Sequence, residues 1–420
     1  MSANERDQFG IDPKIIRTQR EKIALTEENK EALLRDLFDL IAIDTSNPPG
    51  KELQAAELVR SKMASLGANC ILQKFAPQRA NAICHIPFSQ PEDGPCLIFN
   101  SHLDVVPSGE GAWTYPPFKP TIIGGRVYGR GACDAKGSLA AMMAAVRLAL
   151  QAPQNLQGEL ILTAVAAEET GGLGTQFWLK SRREDLRPSM AIVGEPSGLK
   201  PVIAHKGVSR RKLSVRGRSA HSSDPSQGRN AIYPVARLAI FIEELNEKLA
   251  RRTHPLLGLP LVSANVIRGG VKDNVIPDYC ELHMDRRRIP GETRDQFDRE
   301  LNEWVENMVA MDPSFRCQIE VIGDDKEPVV ISPEEPIVRA AVEAIHEVTG
   351  QRETPQGFVA ATDMSFLVHQ GNIPSIILGP GNLAQTHIVD EFVEISHLEQ
   401  ATLIYAYLIT RLLGPKRLSG

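Results

Sequence analysis

Aromatic side chains make up only 5% of the 420 residues, too few for a platform on which nucleic-acid bases stack. Positive charge is not in excess either. Lys and Arg number 47 against 52 Asp and Glu, a net charge of −5 with pI ≈ 6.1, so there is no electrostatic footprint for nucleic acid. No run of about 18 apolar residues occurs, and no membrane span is expected. The first thirty residues lack the short apolar core of a secretory signal. Cysteine is sparse: positions 70, 84, 96, 133, 280 and 317 have no paired metal-finger spacing, and reduced thiols in a cytoplasmic protein are expected. The phosphate loop Gly-x-x-x-x-Gly-Lys-Ser/Thr is missing. So is His-Glu-x-x-His, since His346-Glu347 has no second His four places on.

What remains is a folded chain with 42% hydrophobic and 24% charged residues, long enough for two or three domains at about 150 residues each. The polar stretch up to Leu25 reads as a loosely attached leader. Thr26 can cap a helix carrying Leu33, Leu34, Leu37, Leu40 and Ile41 on one face, and a second helix is expected from Glu52 to Leu66. Cys96–Phe99, Leu160–Ala166, Met190–Val193 and Ser375–Leu378 are short and apolar, as strands buried on both faces are. Gly137–Leu150, rich in Ala, Leu and Met, reads as a helix packed on that sheet. Ser332 with Glu335, and Ser396 with Glu399, have capping-box spacing at two later helices.

Between these α/β parts the texture changes. Arg210–Gly217, Val262–Gly269, Tyr279–Arg287 and Phe315–Ile322 are strand-like, with helices over Ala231–Ala250 and Thr293–Met311. The order is β-α-β-β-α-β, that of a small split-βαβ sandwich. The expected fold class is therefore α/β, a mostly parallel sheet flanked by helices in residues 1–205 and 323–420, interrupted by a ferredoxin-like domain over 206–322.

The apolar segments run directly into polar residues. His102 and Asp104 follow the first, Glu168 and Glu169 the second, Glu195 the third, and Gly379-Pro380-Gly381 and then His387 the fourth. Open α/β sheets bind ligands at the carboxyl ends of their strands, so parallel strands would bring these residues together. Asp134, just before the Ala-rich helix, is a fifth candidate. Two imidazoles with several carboxylates suit a borderline divalent metal such as zinc, with cobalt and manganese fitting the same donors. Each alone reads as an ordinary structural or surface residue. Adjacent carboxylates closing an apolar strand, however, are costly unless something positive compensates. His102 and Asp104 are two apart and face the same way on an extended chain, so Asp104 can accept the second ring N–H of His102.

These stretches resemble the dinuclear zinc amidohydrolases that include acetylornithine deacetylase, succinyl-diaminopimelate desuccinylase, aminoacylase and glutamate carboxypeptidase. The similarity is carried by Ser101-His102-Leu103-Asp104-Val105-Val106-Pro107, by Gly129 to Gly137, and by Glu168-Glu169-Thr170-Gly171-Gly172. Gly194-Glu195-Pro196-Ser197, Gly217 to Asp224, Asn274-Val275-Ile276-Pro277 and Leu378 to His387 follow in the family's order. The resemblance implies two divalent ions, one on His102, Asp134 and Glu195, the other on His387, Asp134 and Glu169, with Asp134 bridging. It implies Glu168 as general base, Asp104 as orienter of His102, and a cis peptide after Asp134. The inserted domain is similar to the family's lid and dimerisation domain. The resemblance thus implies a homodimer in which His221 reaches a neighbouring subunit's site to stabilise an oxyanion.

For the substrate, Arg287 aligns with a carboxylate-binding Arg of the family, and a planar guanidinium suits a carboxylate. Asn274 matches a position near the oxyanion, and the backbone N–H groups of Gly379 and Gly381 are candidates for a substrate anion. The expected activity is hydrolysis of an amide in a small N-acyl amino acid by a metal-bound hydroxide, whose pKa a divalent ion brings down to about 7. The alternatives are a dipeptidase, a carbamoylase or another C–N hydrolase acting on a small carboxylate. Two further readings are a cysteine hydrolase using Cys133, whose thiol the adjacent Asp134 would make less acidic, and a non-catalytic scaffold.

Overall fold

The four apolar segments lie side by side. In the computed structural model, which describes residues 25–90, 94–151, 155–182 and 186–414, they are the strands Cys96–His102, Glu159–Val165, Met190–Val193 and Ser375–Ile377. They form the parallel middle of a nine-stranded sheet, in the order Glu159–Val165, Cys96–His102, Met190–Val193, Ser375–Ile377. The first two are buried at every residue, as strands covered on both faces must be. Antiparallel strands extend the sheet, Arg79–Pro87 and Asn69–Ala76 on one side, Val202–His205 and Val329–Val330 on the other.

One face is covered by Lys136–Gln151, a helix apolar on nearly all sides and therefore buried between the sheet and other helices. Glu27–Ile41 and Ile395–Leu412 pack on it, with Pro336–Thr349 against the latter. Thr26 caps Glu27–Ile41 by accepting from the Asn29 amide at 3.3 Å, and Leu33, Leu37, Leu40 and Ile41 are buried. Leu34 is only half-buried. The second expected helix spans Leu53–Ser65.

The two expected capping boxes do not form. Pro336 opens its helix directly after Glu335, whose side chain makes no cap; Ser332 Oγ instead accepts from the Glu334 amide at 3.1 Å within a turn. The last helix already starts at Ile395, so Ser396 lies inside it. The reduced-thiol expectation is also corrected. Cys70 and Cys84 stand directly opposite each other in the hairpin Asn69–Ala76/Arg79–Pro87 and form a disulfide, while Cys133, Cys280 and Cys317 carry free thiols. The polar leader lies, but for Leu25, outside the described residues.

The second sheet has four antiparallel strands in the order Leu261–Gly269, Tyr279–Arg288, Gly207–Arg216, Cys317–Lys326. The helices Ile232–Leu249 and Arg294–Met311 pack on it through a separate core of residues such as Leu213, Val235, Leu282, Phe297 and Leu301. Chain order and strand order together are those of the expected split-βαβ sandwich. Of the alternation read over Phe315–Ile322, Val321 is exposed, and the pairing register shifts after it. Among the described residues no helix is long and apolar enough to cross a membrane.

One buried group makes stability pH-dependent. His205 closes the strand Val202–His205, its Nδ1 2.8 Å from the Lys206 carbonyl, and burial pushes its pKa down from 6.5 to about 4. The unfolded chain therefore binds a proton near pH 6.5 that the folded chain refuses until about pH 4, so stability falls as pH drops through this window. Urea unfolding of wild type and His205→Asn at pH 7 and 4.5 is expected to show the wild type losing about 2 kcal/mol more than the variant. Equal losses would exclude this role.

Candidate metal centre

The parallel strands deliver their polar ends to one place. His102 is the last residue of Cys96–His102, Glu195 comes two residues after Met190–Val193, and Asp134 precedes Lys136–Gln151 through a cis Asp134-Ala135 peptide. His102 Nε2 lies 3.0 Å from Asp134 Oδ1 and 3.8 Å from Glu195 Oε1. His387 Nε2 lies 3.2 Å from Asp134 Oδ2 and 3.3 Å from Glu169 Oε1. Ligand atoms of His102, Asp134 and Glu195 all fall within 4.8 Å of one another, and so do those of Asp134, Glu169 and His387. Asp134 belongs to both groups, one carboxylate oxygen toward each imidazole. Two positive-φ residues shape the site, Ala167 (φ 68°) before Glu168 and His387 itself (φ 60°), a strained conformation of the kind that clusters at functional sites.

The charge pattern fits cations. Burial and the neighbouring Asp134 and glutamates push the Glu195 carboxyl well up. Burial also raises Glu169, to about 7, where its hydrogen bond with His387 does not fully offset it. Hydrogen bonds to Asp134 and Glu169 raise His387 to about 10. Burial pushes the Asp134 carboxyl up, but its hydrogen bonds to His102 and His387, together with the charges of those imidazoles, hold it below the usual carboxylate range. Three carboxylates crowded in a buried pocket with only two imidazoles carry more negative charge than the protein itself neutralises. Two His and three carboxylates at this spacing are donors for two borderline divalent ions sharing one carboxylate.

Around the ligands, further groups fix their positions. His102 Nδ1 donates to the Asp104 backbone carbonyl at 2.8 Å, and the Asp104 carboxylate is farther, at 3.6 Å. The ring is therefore oriented first by the carbonyl. The carboxylate of Asp104 does more for the next loop: it accepts from the amides of Glu168 and Glu169, each at 3.1 Å, and from Asn47 Nδ2 at 2.8 Å. Glu391, fully buried, accepts from the amides of Cys133 and Asp134 at 2.9 and 3.0 Å and from Arg130 at 2.5 Å. It lies four residues beyond His387, so one carboxylate ties together the loops that carry Asp134 and His387. Lys136 Nζ donates to the carbonyls of Leu40 and Ile43, both at 2.9 Å, anchoring the turn after Asp134. Asn47, Arg130, Lys136 and Glu391 were not legible as site residues. Glu391 reads as half of a surface Asp390-Glu391 pair.

Groups that position a ligand without touching the metal commonly govern affinity by ten- to a hundredfold. Glu391→Gln is expected to weaken metal binding by about that factor, read by competition with a chelator. Unchanged affinity would leave Glu391 with a purely structural role.

The remaining expected residues are placed differently. Arg287 and Asn274 lie in the second sheet and its loops, and His221 is exposed in a loop whose Nδ1 is 2.7 Å from Ser223 Oγ. His221 and Asn274 are neighbours, because Ser222 N donates to the Asn274 carbonyl at 3.1 Å. The Arg287 fork already grips Asp285, with Nε–Oδ1 at 2.7 Å and Nη2–Oδ2 at 3.2 Å. The expected anion-binding amides are also engaged: Gly379 N donates to Ser197 Oγ at 3.1 Å and Gly381 N to His397 Nδ1 at 3.3 Å. These glycines are required for another reason. A Cβ on Gly379 would collide with the Glu195 carbonyl, and Gly381 has φ +77° beside Cys133 Sγ. The Cys133 thiol is buried and pushed well up, by burial first and then by Glu391 and Asp134, which disfavours the nucleophilic thiolate.

The family model described as peptidase family M20/M25/M40 matches residues 98–411. An acetylornithine deacetylase from Proteus mirabilis is 34% identical over 316 residues, 74% of this chain and 78% of its own. Among solved structures, an M20 family metallo-carboxypeptidase from Sulfolobus solfataricus superposes with TM-score 0.76 at 20% identity, covering 91% of this chain and 99% of its own. A dinuclear metal-binding M20 peptidase from Bacillus subtilis has TM-score 0.68 at 16% identity, with 92% and 99% covered.

Proposed function

This chain belongs to peptidase family M20/M25/M40, and from that premise we propose that it hydrolyses the amide bond of a small N-acyl amino acid. The observation that carries the proposal is a pair of ligand groups sharing Asp134, with the carboxyl of Glu168 next in the chain to Glu169. His102, Asp134 and Glu195 would hold one divalent ion and Asp134, Glu169 and His387 the other, zinc first, cobalt or manganese next. Such ions supply a Lewis acid and make water a stronger acid at neutral pH.

Glu168 takes the proton of the attacking water and returns it to the departing nitrogen. Asp104, holding the amides of Glu168 and Glu169, keeps base and ligand in register. Arg287 swings from Asp285 to the substrate carboxylate, a guanidinium–carboxylate pair exchanged for another. His221, exposed beside Asn274, serves the oxyanion in a second copy of the chain, which makes the working unit a homodimer. The identity to an acetylornithine deacetylase favours an N-acetyl substrate over a dipeptide or a carbamoyl compound.

The test is a panel of N-acetyl, N-succinyl, N-carbamoyl and dipeptide substrates with the enzyme stripped of metal and reloaded. Hydrolysis of N-acyl amino acids that disappears on chelation and returns with zinc, cobalt or manganese is expected. Full activity of the metal-free protein would refute it, and turnover of dipeptides alone would shift the substrate to that class.

A further inference from the structure

A lysine of the second sheet reaches the base of the first. Lys326 ends the strand Cys317–Lys326, paired to Val208, and its side chain is 1% exposed. Its ammonium bonds the Glu168 carboxylate at Oε1 and donates to the Glu168 carbonyl at 3.2 Å. Asp363 Oδ1 lies 3.8 Å away on the other side. Asp363 is itself fixed: its Oδ2 accepts from Thr175 Oγ1 at 2.6 Å, and Thr175 Oγ1 accepts from Asn100 Nδ2 at 3.1 Å, inside the strand that carries His102. The Lys326 backbone is held too. Arg288, fully buried at the end of Tyr279–Arg288, the strand on the far side of Gly207–Arg216, donates to the Lys326 carbonyl at 3.1 Å and pairs with Glu327 and with Asp325 at 3.3 Å.

We propose that Lys326 is a positioning residue for the reaction: its ammonium holds the Glu168 carboxylate at the metal pair and makes the base's placement depend on where the lid sheet sits. The juxtaposition has a physical requirement behind it. A general base works only within hydrogen-bond reach of the proton it takes, and a glutamate side chain left unanchored samples other rotamers. Lys326 grips the residue twice, at carboxylate and carbonyl, which fixes both the side chain and the strained turn after Ala167. The cation arrives from the last lid strand, one residue from Asp325 and Glu327, which Arg288 clamps. Any displacement of that strand end moves the ammonium and, with it, the base. The lid thereby does more than cover the substrate.

This inference rests on Glu168 being the base, so the experiment is a double-mutant cycle on the metal-loaded full chain, with Glu168→Gln, Lys326→Met and the pair. Lys326→Met alone is expected to lower kcat by at least about tenfold, with KM within about threefold and two metals retained, and Lys326→Arg to recover most of the loss. In the Glu168→Gln background Lys326→Met is expected to cost nothing further, because the lysine acts through that carboxylate. Unchanged or raised kcat in Lys326→Met, a loss confined to KM or to metal content, or an equal loss in both backgrounds would each overturn the proposal. Should Lys326→Met not fold, Lys326→Gln takes its place, with kcat expected below that of Lys326→Arg; equal kcat values would overturn it. An active Glu168→Gln enzyme would instead refute the assignment of the base, whatever Lys326 does.

Discussion

Glu168→Gln is expected to lower kcat about a thousandfold while both metal positions remain filled. The carboxylate and the amide are nearly isosteric, and the amide cannot accept the proton of water. General-base catalysis is worth about 10²–10⁴ in rate, so the loss should fall in that range and appear in kcat rather than KM. Glu168 is buried, and its backbone amide is held by Asp104 at 3.1 Å, so the turn carrying Glu169 survives the change. Metal content, measured on the same sample by elemental analysis, separates loss of the base from loss of the ions. A rate within tenfold of wild type with full metal occupancy would place the base elsewhere.

The second large effect concerns the shared carboxylate. Asp134 is the only residue common to the two ligand groups among the described residues. Its removal takes one donor from each ion at once, leaving His102 with Glu195 and His387 with Glu169. Structural and catalytic sites for such ions ordinarily use at least three protein ligands. Asp134→Ala is therefore expected to purify with neither ion and with activity below about 10⁻⁴ of wild type, on the scale of losing both base activation and charge stabilisation. His387→Ala should retain the ion on His102, Asp134 and Glu195 and so hold one equivalent. Two equivalents in Asp134→Ala, or none in His387→Ala, would contradict a bridging role.

Four of the five candidate ligands were legible because they follow apolar runs, and strands buried on both faces announce themselves by composition alone; Asp134, ahead of the Ala-rich helix, follows no such run. The extent of those strands was less so. Cys96–His102 continues through Asn100, Ser101 and His102, polar residues tolerated in the core because Asn100 bonds Thr163 and Thr175 and Ser101 bonds the Gly194 carbonyl. Hydropathy cannot see partners that come from elsewhere in the chain. The hairpin Asn69–Ala76/Arg79–Pro87 escaped notice for a related reason: its edge strand has no fully buried face. Its Cys70 and Cys84 are 14 residues apart, and only the pairing register sets them opposite each other.

The Ser-x-x-Glu spacings at Ser332 and Ser396 were misleading because helix starts are decided by the first residue able to begin the turn, here Pro336 and Ile395. The groups that position the ligands were the least visible. Lys326 comes from the charged run Asp324-Asp325-Lys326-Glu327, which in sequence has the look of a solvated strand end. Only the meeting of the two sheets buries it against Glu168. Asn47 likewise becomes a site residue only through Asp104 and Thr170.

The most direct test of two ions clasped around one aspartate is anomalous diffraction at the zinc edge from crystals of the zinc-loaded enzyme. Two peaks about 3.5–4 Å apart are expected, one among His102, Asp134 and Glu195 and the other among Asp134, Glu169 and His387, with Asp134 contacting both. A single peak, or a pair that does not share Asp134, would contradict it.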